Sequence, residues 1–93
     1  MTKDQPIEVG DVVFSKCGHD GGKYYVVVKA DENEGFYMIA DGKARKVARP
    51  KRKKGKHLLF SGKIAGYAER EKTLGVSDPY LALMLRPYND KLK

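Results

Sequence analysis

The sequence predicts a mainly β fold, a small five-stranded barrel followed by a short helical extension. Three observations predict it. Stretches dense in β-branched and aromatic residues recur at short intervals, separated by clusters of Gly, Asp and Asn that suit tight turns. Past residue 60 the apolar spacing changes from the period of a strand to that of a helix. The chain has 93 residues, enough for one domain and too few for two. Within it, residues 1–6 read as a mobile N-terminus, 7–60 as the barrel and 61–93 as an extension with one or two short helices.

The first strand is expected from Asp11 to Lys16. Its alternation is imperfect, with Val12 and Phe14 directed to one face and Val9 and Val13 to the other, as in a curved strand covered on both sides. Gly18-His19-Asp20-Gly21-Gly22 breaks it, because three glycines in five residues favour positive φ. Tyr24 to Lys29 follows as the second strand, and Phe36 to Ala40 as the third after the turn Asp31 to Gly35. Asp41-Gly42 signals a two-residue hairpin, which would pair the third strand with a fourth near Ala44 to Val47. Pro50 has no amide hydrogen, so Lys51 to Lys56 is expected as an exposed loop or a turn of 3₁₀ helix. His57 to Phe60 resumes an apolar pattern suited to a fifth strand. Ile64, Tyr67, Ala68 and Glu71 then share one face of a weakly amphipathic helix that Gly75 ends. Asp78-Pro79 starts a second helix, with Asp78 as cap, an apolar face at Leu81, Met84, Leu85 and Tyr88, and Pro87 as its end.

Charge is sharply segregated along this framework. Residues 1–41 carry a net charge of −4, residues 42–63 carry +10 with no acid among them, and residues 64–93 carry +1, within a total of +7. From Lys43 to His57 nine of fifteen residues are Lys or Arg. A field of this kind attracts polyanions, since each phosphate neutralised by Lys or Arg releases counterions. On the strand first expected there, Lys43, Arg45 and Val47 would face one side, and Ala44 and Lys46 the other. Arg49, Lys51, Arg52, Lys53, Lys54 and Lys56 would then follow a phosphate backbone. Five to seven such contacts imply a log affinity that falls with log salt at a slope of roughly −4 to −6. The bland reading of the same run is a solvated charge tract or a nuclear address.

The order GDVVFSK, a Gly-rich turn ending in Gly22-Lys23, YYVVVKAD and a third strand closing at ADG resembles the KOW-motif family. KARKVARPKRKKGKHL narrows the likeness to barrel proteins of the eukaryotic and archaeal large ribosomal subunit and their short bacterial relatives. The resemblance covers Ile7 to Phe60. It implies an SH3-like barrel and RNA binding, with large-subunit ribosomal RNA as the partner and neighbouring ribosomal proteins as further partners. It also implies a role as ribosomal component or ribosome-associated factor. The RNA-facing residues would be Lys16, His19, Gly21, Gly22 and Lys23 at the turn, with Lys43, Arg45, Lys46, Arg49, Lys51, Arg52, Lys53, Lys54, Lys56 and His57 on the basic segment.

Other chemistries find little support in the sequence. Cys17 is alone, so no internal disulfide is expected, and Cys17 with His19 supplies too few ligands for a metal site. No grouping of acids suggests acid-base work, so no enzyme and no cofactor is expected. The longest apolar run, Tyr24 to Val28, is far below the ~20 residues of a spanning helix, and the N-terminus lacks a secretory pattern. A cytoplasmic protein without a membrane partner is expected. Tyr24, Tyr25, Tyr37, Tyr67, Tyr80 and Tyr88 are candidates for stacking on unpaired bases or for filling the core. Two further functions stay open: an SH3- or Tudor-like peptide groove lined by Tyr24, Phe36 and Tyr37, and a DNA-binding basic protein.

Overall fold

Tyr24 to Val28 is apolar at every position, and the fold shows why. The structure, a computed structural model, describes residues 7–16, 21–31 and 33–90. The expectation of a mobile N-terminus over residues 1–6, and the roles given to Cys17 and His19, lie outside them. β2 (Lys23–Asp31) is the central strand of a five-stranded antiparallel sheet in the order β4-β3-β2-β1-β5. Both its faces are covered. Tyr25 and Val27 join Ile7, Val13, Ile39 and Leu58 in one apolar cluster on the inner face. Val26, with Tyr24 and Val28 beside it, joins Val12, Ala40, Tyr67, Leu81 and Leu85 in a second cluster on the outer face.

β1 (Asp11–Ser15) divides Val12 and Val13 between the two clusters, as its imperfect alternation implies. β3 (Phe36–Ala40) pairs with β2 through a bulge between Val27 and Lys29, after which Lys29 is opposite Met38 and Asp31 opposite Phe36. The extra residue bends the strand and increases its twist. β5 (Leu58–Lys63) closes onto β1 with a second bulge near Ser61 and runs three residues beyond the expected barrel boundary at Phe60. The sheet remains open between its edge strands β4 and β5.

The fourth strand departs from expectation. β4 is Lys51–Lys54, paired to β3 with Ile39 opposite Lys51 and Phe36 opposite Lys54, whereas residues 42–50 are turns and bends. The reason is the Asp41 side chain. Its Oδ1 accepts the amide hydrogens of Lys43 and Arg45, both at 2.8 Å, while the Asp41 and Gly42 amides donate to the Arg45 carbonyl. A carboxylate that captures nearby amides competes with ladder pairing, so the tight hairpin gives way to a wide turn. Lys43, Arg45 and Val47 therefore do not share a strand face. Pro50 comes immediately before β4 and starts it, a position where its missing donor costs no ladder bond. The expected loop at Lys51 to Lys56 is instead this strand followed by a one-turn 3₁₀ helix, η1 (Gly55–His57).

α1 (Tyr67–Thr73) ends at Gly75, whose amide donates to the Arg70 carbonyl at 2.8 Å. α2 (Asp78–Asp90) lies over the outer face with Leu81 and Leu85 fully buried against β2. Burial of a Leu side chain contributes about 1.5–3 kcal/mol, so this pair fastens the helix to the sheet. Two details differ from expectation. Ser77 is the cap, its Oγ accepting the Tyr80 amide hydrogen at 3.3 Å, while Asp78 belongs to the first turn and accepts the Val47 amide hydrogen at 2.7 Å. Pro87 is inside the helix and does not end it. The carbonyl that loses its partner there is that of Leu83, and both residues are on the exposed face, where water can replace the lost bond. Among the described residues no helix is long and apolar enough to cross a membrane.

Candidate nucleic-acid interface

β4 places four consecutive basic residues on an edge of the sheet, and the alternation of a strand sorts them. Lys51 and Lys53 are opposite Ile39 and Tyr37 on the inner face and are partly buried, each with an interaction of its own. Arg52 and Lys54 are opposite Met38 and Phe36 on the outer face and are exposed. The Arg52 guanidinium lies 3.8 Å from the centre of the Phe36 ring, and the Lys54 ammonium 5.8 Å from it. Lysines on an edge strand also have a bland purpose, since they discourage pairing with another chain.

η1 carries the chain from β4 to β5 and draws distant parts of the sequence together. The Gly55 amide donates to the Gly35 carbonyl at 3.0 Å, tying η1 to the β2–β3 turn. The His57 carbonyl accepts the Lys16 amide hydrogen at 2.9 Å, tying it to the β1–β2 turn. Lys23 is opposite Ser15 next door, exposed like Lys16. Four lysines are close enough to act on His57. Partial burial pushes the His57 imidazole below its ordinary range, and the positive charges of Lys56, Lys53, Lys54 and Lys16 push it further. The corner thus joins the Gly-rich turn to the end of the basic segment.

Within that turn, Gly22 has φ 81° and open space where a side chain would be, but its amide donates to the Ser15 carbonyl at 2.8 Å. Gly22 therefore has no bare amide to offer a phosphate. Gly21 is half-buried beside it. His19 falls outside the described residues.

Lys43, Arg45, Lys46 and Arg49 form a separate group on the β3–β4 turn, held against the start of α2 by the Val47 to Asp78 bond. Lys43, Lys46 and Arg49 are exposed. β4 links this group to the η1 corner over about 10 Å of strand. Lys63, the last base of the positive segment, is offset by two carboxylates. Its ammonium bonds Asp11 at 3.0 Å and Glu8 at 3.2 Å, and these hydrogen bonds, Asp11 first, raise its pKa above the ordinary lysine range.

The tyrosines divide between core and rim. Tyr25 is 1% exposed, and Tyr67 is packed against Gly10 with its phenol pushed up to about 12, mainly by burial and then by Glu71 and Tyr80. Neither can present a ring face to a base. Tyr24 meets Phe14 edge-on and Tyr88 at a tilt on the outer face near β5, at the far end of β2 from Phe36, while Tyr37 is directed inward. Tyr24, Phe36 and Tyr37 consequently do not line one groove. No group of three potential metal ligands occurs among the described residues. Sequence reasoning did not connect Phe36 with Arg52, because that contact depends on where β4 pairs. Comparison with known proteins assigns the chain to no family: no family model matches it, and no curated protein matches it.

Proposed function

We propose that this protein binds structured RNA through the η1 corner, the β4 edge and the β3–β4 turn, and that the open sheet is an SH3-like barrel. The observation that carries the reading is the convergence at η1. Lys16 from one turn meets Lys53, Lys54, Lys56 and His57 from the basic segment. Concentrated positive charge held on rigid backbone favours a partner with regularly spaced negative charge, and phosphate contacts of this kind fix position without reading sequence. A 3₁₀ turn leading into the last strand, with that strand beside the first, supports the SH3-like assignment. Large-subunit ribosomal RNA is the partner the KOW resemblance implies, with the protein acting as a ribosomal component or an associated factor and without catalytic activity.

The test is direct. Purified protein is expected to co-sediment with large ribosomal particles at low salt and to leave them as salt rises, with a slope of roughly −4 to −6 for a folded ribosomal RNA fragment. Protein that stays at the top of the gradient and binds heparin as well as ribosomal RNA would sink the proposal. Equal affinity for duplex DNA at matched salt would redirect it to a basic DNA-binding protein.

His57 gives this reading a pH dependence. In the free protein partial burial, and after it the neighbouring lysines that oppose a further charge, hold its pKa below 6.5. That lowered value makes folding less favourable as pH falls below 6.5, where the unfolded chain binds the proton more readily. A bound phosphate reverses the local sign and raises the pKa, so binding takes up a proton. Affinity for RNA is expected to be level above pH 7 and to rise as pH falls through the window just under 6.5. His57→Asn should abolish the rise. An unchanged profile in that variant would remove His57 from the interface.

A further inference from the structure

The helices do not cover the whole outer face of the sheet. Beyond them, where β2, β3 and β4 end together, Lys29, Ala30, Asp31, Phe36, Met38 and Arg52 line a hollow of about 210 Å³. The β2 bulge creates it by placing Lys29 opposite Met38. Phe36 and Met38 form an apolar floor, half-buried. Arg52 is exposed and its guanidinium is parked on Phe36 at 3.8 Å. The hollow is smaller than the ~300 Å³ at which pockets for drug-sized ligands begin, a scale that suits one planar ring.

We propose that this hollow is a subsite for a single unpaired nucleobase of RNA, which stacks on the outer face of the Arg52 guanidinium or displaces it to stack on Phe36. The inference rests on the RNA reading above and adds to it a site that selects single-stranded loops over duplex. Three features support it together. Aromatic rings and guanidinium planes are the surfaces on which splayed RNA bases stack. Lys29 and Lys54 flank the ring, exposed, where the phosphates on either side of such a base would lie. Asp31 closes one side of the hollow. One of its oxygens accepts the Glu34 amide hydrogen at 3.3 Å, and the other is an acceptor for the exocyclic amino group of a base. Cytosine therefore fits where uracil, with a carbonyl at that position, does not. The bland alternative is that Arg52 merely shields Phe36 from water with its stem, and the test separates the two.

The probes are an RNA hairpin with an oligocytidine loop, the same stem with an oligouridine loop, and the same stem as a blunt duplex. The wild-type protein is expected to prefer them in that order. Arg52→Lys keeps the charge and loses the plane. It should weaken binding to the cytidine loop about tenfold, within the range measured per stacked base, and weaken the duplex, which meets Arg52 only as a charge, far less. Phe36→Leu should do the same, with far-ultraviolet circular dichroism and a thermal melt showing that it folds. Asp31→Ala should bring the two loops to equal affinity. If the wild type binds none of the three RNAs, the RNA reading fails and the subsite with it. If it binds all three alike and Arg52→Lys changes nothing, RNA binding stands and the subsite is overturned.

Discussion

Changing Arg49, Arg52, Lys54 and Lys56 together to Gln is expected to weaken binding to folded RNA by roughly 10²–10³-fold at 0.15 M salt. The magnitude follows from counterion release. Each lost phosphate contact reduces the salt slope by about 0.7–0.9, so four reduce it by about 3, which at that salt amounts to between two and three powers of ten. All four side chains are exposed, spread from the β3–β4 turn along β4 to η1. Exposed substitutions usually change stability by less than about 0.5 kcal/mol, and the Arg52 contact with Phe36 adds about 0.5–1 kcal/mol to that loss. The folded state should therefore survive. Lys72→Gln with Arg86→Gln is the matched control, since both residues are exposed on the helices. That pair should leave the affinity and the slope nearly unchanged. If the helix variant weakened binding as much per charge as the β4 variant, net charge and not the β4 edge would be responsible.

The parts of this fold that were legible in the sequence are those set by local pattern. β2 and β3 announce themselves through β-branched and aromatic runs, and the buried face of α2 through Leu81 and Leu85. β4 was misread because two local signals were overruled by a side chain and a register. Asp41-Gly42 looked like a tight hairpin, but the Asp41 carboxylate captures the Lys43 and Arg45 amides. Pro50 looked like a stop, but it precedes a strand whose partner, β3, is reached only across a ten-residue turn. The site suffered in the same way. Its charge was visible as a run along the chain, yet its two corners were not. The meeting of Lys16 with His57 depends on the pairing of β1 with β5, and the Arg52 contact with Phe36 depends on which β4 residue is opposite Met38. Long-range pairing of this sort leaves no periodic trace in the sequence.

Gly42→Ala is expected to cost roughly 3 kcal/mol of stability, more than any single exposed charge. Gly42 has φ 81°, a conformation that costs a residue with a Cβ about 1–2 kcal/mol. The added methyl would also collide with the carbonyl oxygen of Asp78, with the Asp78 carbonyl carbon at 3.0 Å and the Ala82 nitrogen at 3.2 Å. These are backbone atoms of the first turns of α2, so the helix start or the turn must move. Either movement strains the Val47 to Asp78 bond, itself a contribution of about 1 kcal/mol or more as a charge-assisted contact. For a domain of this size the melting temperature should fall by roughly 12–24 °C. Gly75→Ala separates the two causes. Gly75 also has φ 81° but has open space where the methyl would go, so that variant meets only the backbone strain. Urea melts of both variants should give a larger loss for Gly42→Ala by 1–2 kcal/mol. Equal losses would mean that α2 gives way without cost, and that the β3–β4 turn with its Lys43, Lys46 and Arg49 is not held in place by the helix beneath it.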